Sequence, residues 1–164
     1  MMGSGKTTVA KIIADKLSYL HFVDTDDLIV QNQKCSINEI FEKKGEAEFR
    51  RIESFILKDV LQNDNQVIST GGGIVISPQN LESLKKKSIV FYLSADENVI
   101  FERLKNNKDR PLLNCDDMMT KISNLLLNRK HLYEKAHFTV ITNNLTPQKI
   151  ADEVIRKSGI NGNR

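Results

Sequence analysis

Within its first eight residues the chain reads Gly3-Ser4-Gly5-Lys6-Thr7-Thr8, and a helix-period pattern begins at once. This is the second half of the phosphate-loop pattern G-x-x-x-x-G-K-[ST], whose first glycine falls one position ahead of Met1. Glycines let backbone N–H groups turn inward around phosphate oxygens, and a helix N-terminus adds a favourable dipole. In such a loop Lys6 bridges the β- and γ-phosphates, and the Thr7 hydroxyl meets a divalent cation. The competing reading is a flexible terminus ahead of an ordinary helix. Against it stands a regular apolar stripe: Val9, Ile13 and Leu17 recur at i+4, which makes residues 6–17 an amphipathic helix.

Further along, 21–24 reads as a short strand ending at Asp24-Thr25-Asp26. Ser36 with Glu39 forms a capping box, and Gly45 closes that helix before a longer one over 46–62. A buried-type strand at 67–70 runs into Gly71-Gly72-Gly73, and Ser77-Pro78 opens a helix over 78–86. The next strand is 89–93. Ser94 and Glu97 form a second capping box ahead of a helix to Asn106, and 107–116 reads as an exposed polar loop. A helix over 117–135, a strand over 138–142 and a last helix from Thr146-Pro147 to Gly159 complete the chain.

Strands alternating with helices at this spacing argue an α/β fold with a mainly parallel sheet. Four strands are present, yet a phosphate loop is the middle of a strand–loop–helix unit, and none precedes Gly3. Burying about four strand side chains is worth ~1.5–3 kcal/mol each, a total that rivals the ~5–15 kcal/mol stability of a whole domain. The expectation is that the true start lies about ten residues upstream. The alternative is a destabilised chain with an open groove in its sheet.

At 164 residues and 18.7 kDa the chain fits one domain, 1–164, with the polar loop at about 105–117 as a lid. Apolar residues at 40% and charged residues at 27% exclude disorder, and no apolar run reaches membrane-span length. The small excess of 24 Lys+Arg over 21 Asp+Glu gives no reason to expect nucleic acid, and Trp is absent. Cys35 and Cys115 read as free thiols of a reducing compartment, so a cytoplasmic location is expected.

Asp24 and Asp26 sit at the carboxyl end of a strand, where open α/β sheets bind ligands. Two apart in a strand-like run, both can face one site, one holding water on a cation and the other accepting a hydroxyl proton. The plainer reading is that Asp26 or Asp27 caps the next helix. Three glycines in a row exceed what a tight turn needs and suggest a ligand packed on main-chain N–H groups. Arg50 has Glu53 at i+3, which can fix the guanidinium for bidentate reading of a carboxylate. On spacing alone a solvated ion pair is the stronger reading of that pair, and a surface role is the default for Arg51 and Arg129. Arg110, in the polar loop, has the setting of an arginine finger supplied in cis. His21, His131 and His137 show no metal spacing.

These residues resemble the shikimate kinase family. The matching segments are MGSGKTT at 2–8, FVDTD at 22–26, SINEIFEKKGEAEFRRIE at 36–53, STGGG at 69–73, RPLL at 110–113, and Arg129 with LY at 132–133. The resemblance implies a P-loop three-layer fold with a five-stranded parallel sheet of order 2-3-1-4-5, whose first strand is the one absent here. It implies transfer of the ATP γ-phosphate to the 3-hydroxyl of shikimate. Gly3, Ser4, Gly5, Lys6, Thr7 and Thr8 would hold the ATP phosphates, with Arg103 and Pro147 sandwiching adenine. Thr7 and Asp24 would serve Mg2+. Lys6, Asp26 and Arg110 would be catalytic, with Asp26 on the ring hydroxyl. Arg50 and Arg129 would clamp the shikimate carboxylate, with Gly72 contributing main-chain contacts and Glu53 orienting Arg50. The expected partners are ATP and shikimate, with no nucleic acid, no membrane and a monomeric state. A gluconate-type small-acid kinase shares the phosphate loop but not the FRRIE and GGG elements. A truncated binding relative without turnover draws its only support from the front of the chain.

Overall fold

The structure is a computed structural model that describes residues 1–105 and 117–160. In chain order it contains α1 (Lys6–Lys16), β1 (His21–Asp24), α2 (Thr25–Gln33), α3 (Ile37–Val60), β2 (Gln66–Ser69), a 3-10 turn (Ile74–Ile76), α4 (Pro78–Lys87), β3 (Phe91–Ser94), α5 (Glu97–Leu104), α6 (Met118–Tyr133), β4 (Phe138–Ile141) and α7 (Pro147–Ser158). Helices cover both faces of parallel strands, the α/β arrangement that the alternation in the sequence requires.

Period-2 alternation decides which face each strand side chain serves. In β3, Tyr92 joins a core with Leu57, Leu84, Ile100 and Ile122 from α3 to α6, while the next residue, Leu93, joins Val9, Ile13 and Val154 from α1 and α7. A third cluster packs α2 on α3, with Ile29 and Ile40 fully buried. Each such side chain contributes roughly 1.5–3 kcal/mol through burial.

The strands pair as two parallel couples, β1 with β2 and β3 with β4. Among the described residues no strand joins them. A cavity of about 350 Å³ separates β2 from β3, walled by Val67 and Ile68 on one side and Phe91 and Leu93 on the other, with Val9, Ile13 and Leu81 above and below. Among the described residues the sheet therefore has an open groove between β2 and β3. Val67 and Ile68 remain only half-buried because of it.

Two local features differ from the sequence expectation. Asp24, and neither Asp26 nor Asp27, caps α2: its Oδ1 accepts from the Asp26 N–H at 2.9 Å. Asp26 therefore lies in a helical first turn, and the strand-like spacing of the two carboxylates does not apply. The second capping box is absent as well. Ser94 is the last residue of β3, hydrogen-bonded by its carbonyl to the Thr142 N–H, and the N-cap of α5 is Asp96. The first box is as expected, with Ser36 and Glu39 bonded reciprocally and Glu39 held down to a pKa of about 2, chiefly by the Ser36 N–H. Gly45 keeps α3 nominally continuous but breaks its geometry at φ 80°, ψ 171°, a conformation almost confined to glycine.

Candidate active site

The phosphate loop occupies the N-terminus of α1. Gly3 and Gly5 adopt φ of 71° and 86°, where glycine is the undemanding choice. Gly3 is fixed further by neighbours: a Cβ there would lie 3.0 Å from Leu104 and 3.3 Å from Ile100. Ser4 is buried and donates to the Met1 carbonyl at 2.9 Å, and the Lys6 ammonium donates to the same carbonyl at 2.7 Å. The Thr7 hydroxyl donates to Asp24 Oδ2 at 2.9 Å and lies 3.2 Å from Ser69 Oγ. Thr7 and Asp24 therefore converge on one spot at the carboxyl ends of β1 and β2. Their hard oxygen donors fit Mg2+, which commonly takes one or two protein ligands beside phosphate and water.

The glycine triplet has a reason that spacing did not disclose. None of Gly71, Gly72 and Gly73 has a positive φ. What excludes side chains there is crowding. A Cβ on Gly71 would lie 2.8 Å from Asp26 Oδ1 and 3.2 Å from Glu53 Oε1; one on Gly73 would lie 2.3 Å from the Arg50 guanidinium. The triplet lets the backbone pass between these charged groups.

Arg50 is not a solvated ion pair. It is 19% exposed, Glu53 is 1% exposed, and Arg50 Nη1 donates to Glu53 Oε2 at 2.8 Å. Glu46, at i−4, takes the other side of the guanidinium through Nε at 3.3 Å and Nη2 at 3.1 Å. Burial lifts the Glu53 pKa above the usual carboxylate value; Arg50 and Arg129 pull it down, and Asp26 pushes it up. The same influences locate Asp26 and Arg129 close to this pair. Glu53 Oε1 is buried without a hydrogen-bond partner among the described residues, leaving acceptor capacity at the site. Arg51 is 70% exposed and pairs with Glu48, as its surface role requires.

Arg103 reaches back from α5 to the phosphate loop, donating to the Gly3 carbonyl at 3.3 Å and to the Thr142 carbonyl at 3.2 Å. Pro147 is the first residue of α7, and Thr8 lies in the first turn of α1. Arg110, Cys115 and the expected lid at about 105–117 fall on or around 106–116, outside the described residues. The three histidines are exposed; His137 Nδ1 accepts from the Val90 N–H at 3.0 Å and so ties β4's approach to β3. Sequence reasoning missed Glu46, although i−4 from Arg50 is a helical spacing, and it gave Tyr133 no role beyond the LY pair. The Tyr133 hydroxyl donates to the Gly72 carbonyl at 2.7 Å.

A glycine-lined phosphate loop on α1, with oxygen donors and an arginine–carboxylate cluster at the same strand ends, defines a P-loop phosphotransferase that acts on a small acidic acceptor. Known proteins agree. The family model described as shikimate kinase matches residues 2–158. A shikimate kinase of Thermodesulfovibrio yellowstonii is 46% identical over 156 residues, covering 95% of this chain and 90% of that protein. One from Caldicellulosiruptor bescii is 39% identical, covering 94% and 89%. Among solved structures, shikimate kinase from Acinetobacter baumannii in complex with shikimate superposes with a TM-score of 0.91 at 36% identity, covering 95% and 87%. The enzyme from Bacteroides thetaiotaomicron gives 0.89 at 30% identity, covering 97% and 94%. The chain belongs to the shikimate kinase family and is an ATP-dependent kinase.

Proposed function

We propose that the chain transfers the ATP γ-phosphoryl group to the 3-hydroxyl of shikimate in one direct, in-line step. The observation that carries this reading is the buried Arg50–Glu53 pair packed on Gly73, beside Asp26 and next to the phosphate loop. A carboxylate acceptor needs a fixed guanidinium, and this one is held from two sides before any ligand arrives. Arg50 and Arg129 grip the shikimate carboxylate, with Gly72 offering main-chain contact. Asp26 orients the hydroxyl or takes its proton, which suits a carboxylate at hydrogen-bond reach of an alcohol.

On the nucleotide side, Gly3 to Thr8 wrap the phosphates, and Lys6 exchanges the Met1 carbonyl for phosphate oxygens. Arg103 and Pro147 flank adenine, and Arg110 neutralises phosphate charge from the lid at about 105–117. Thr7 and Asp24 hold Mg2+ and its water, and the ion supplies charge neutralisation on the phosphates. The work of the protein is then positioning and electrostatics. A single domain acting as a monomer in the cytoplasm is the corresponding whole-chain reading; among the described residues no helix is long and apolar enough to cross a membrane.

For the sheet we propose the five-stranded family order, in which β1, β2, β3 and β4 are the second to fifth strands and a first strand lies between β2 and β3. The pairings at both ends agree with that order, and the cavity is walled by apolar strand side chains on both flanks. A version with an apolar strand joined ahead of Met1 should melt more than about 10 °C higher, since roughly 6–12 kcal/mol of burial is at stake and each kcal/mol shifts the midpoint by ~2–4 °C. An unchanged melting point would count against the five-stranded order.

The functional test is ADP release from Mg·ATP with shikimate and, separately, gluconate as acceptor. Shikimate-dependent ADP supports the reading. Turnover with gluconate alone would move the chain to the other small-acid kinases, and folded protein idle with both acids would leave a binding relative.

A further inference from the structure

The Arg50 and Arg129 arms of the site belong to different helices, α3 and α6, and one hydroxyl joins them through the glycine triplet. Tyr133 lies one turn after Arg129 on α6, so the two side chains share a helix face. Its ring is 5% exposed and stacked on Tyr92 at 5.0 Å between centroids. Burial raises the phenol's pKa against the pull of the neighbouring Arg129, so the group is an O–H donor, placed 2.7 Å from the Gly72 carbonyl and 3.8 Å from the Met1 sulfur.

A peptide unit is planar, and in the trans form its C=O and N–H point in opposite directions. No cis peptide occurs here, so pinning the Gly72 carbonyl turns the Gly73 N–H away from Tyr133. That N–H meets no acceptor among the described residues, and the Arg50 guanidinium lies against the same glycine. An unengaged main-chain donor beside a held guanidinium is an anion cradle whose orientation depends on one phenol.

We propose that Tyr133 is a positioning residue for the acid clamp: its hydroxyl sets the Gly72–Gly73 peptide so that the Gly73 N–H and the Arg50 guanidinium receive the acceptor's carboxylate together. The inference rests on the shikimate-kinase reading above and extends it to a residue that touches no reacting atom.

The test is calorimetric titration of shikimate into the full chain, alongside steady-state kinetics, for the parent, Tyr133→Phe and Tyr92→Leu. Tyr133→Phe keeps the ring stack and removes only the hydroxyl. Its shikimate Kd and KM should rise about 3- to 10-fold, the worth of one hydrogen bond, while the KM for ATP and kcat stay put and the melting point falls by only ~2–4 °C. Tyr92→Leu removes the stack and leaves the hydroxyl, so it should lower the melting point with little change in shikimate affinity. Unchanged shikimate affinity in Tyr133→Phe overturns the proposal. So does an ATP KM that moves in step, or a Tyr92→Leu variant that loses as much affinity. A parent that binds no shikimate overturns the functional reading itself, a result separate from the other three.

Discussion

The two halves of the site are prepared to different degrees. On the acceptor side the Arg50 guanidinium is held by Glu53 and Glu46, backed by Gly73, and linked through Gly72 to Tyr133. Arg50 and Glu53 are already withdrawn from water, with Glu46 holding the guanidinium from the exposed side, so binding an acid there orders little further. On the nucleotide side the key donors are occupied by substitutes: Lys6 by the Met1 carbonyl, Thr7 by Asp24, Arg103 by carbonyls of Gly3 and Thr142. Those bonds must be exchanged or rearranged as phosphate arrives, and the loop borders the cavity between β2 and β3. On the proposed reading, acceptor recognition is built into the fold, whereas nucleotide recognition is completed by the nucleotide.

Replacing Lys6 with Met gives the largest test of that division. Removing one donor to developing charge costs on the order of 10²–10³ in kcat. The shikimate Kd measured by calorimetry should not move; if it weakens in parallel, the two halves are not separate. Next, Gly73→Ala puts a methyl 2.3 Å from the Arg50 nitrogens. Misplacing the guanidinium by about 1 Å should lower kcat/KM for shikimate by as much as ~10²-fold, with the KM for ATP unaffected.

Glu53→Gln probes what holding the clamp costs. The folded-state pKa of Glu53 is raised above 4.5, so the folded chain binds that proton more tightly than the unfolded one. The contribution to stability is therefore full below 4.5 and is lost as pH rises through the raised value. A denaturation series from about pH 4 to 8 should show that loss in the parent and a flatter profile in Glu53→Gln. Equal slopes would mean that Arg50 neutralises the carboxylate fully. Least consequential is Ser36→Ala, which removes the α3 cap at a cost of about 1 kcal/mol, or ~2–4 °C, with no change in either KM.

Local chemistry was legible wherever partners lie within one turn. The Ser36–Glu39 box, the Ser77-Pro78 and Thr146-Pro147 helix starts and the α1 stripe are decided by neighbours a few residues apart, and each is present. Two cases misled for the same reason. Asp24 ends a strand and caps a helix at once, so alternation suggested strand geometry for Asp26, where the turn had already begun. Ser94 has the spacing of a capping residue, but the ladder with β4 claims it.

Long-range contacts were not legible. Nothing near Gly73 in the chain announces that Arg50 will press on it, so the spacing did not show that the three glycines also let the backbone pass between charged side chains. The burial of Arg50 and Glu53 depends on the same folding-back. Helix spacing put them together, but only the tertiary structure takes them out of water, and so the ion pair that spacing assigned to the surface became the core of the candidate site.

The break at Gly45 divides α3 into two helices in series, and helical phase does not pass through it. In an unbroken helix, adding or deleting one residue rotates everything beyond it by about 100°. Ahead of Gly45 the kink separates that rotation from Arg50 and Glu53, while Ile40 and the Phe41–Phe49 ring contact tie the first segment to the shared core. Between Gly45 and Arg50 a single added residue would swing the guanidinium away from the strand ends altogether. The bearing of Arg50 is therefore set by the count of residues on one side of a glycine and not on the other, within a single named helix.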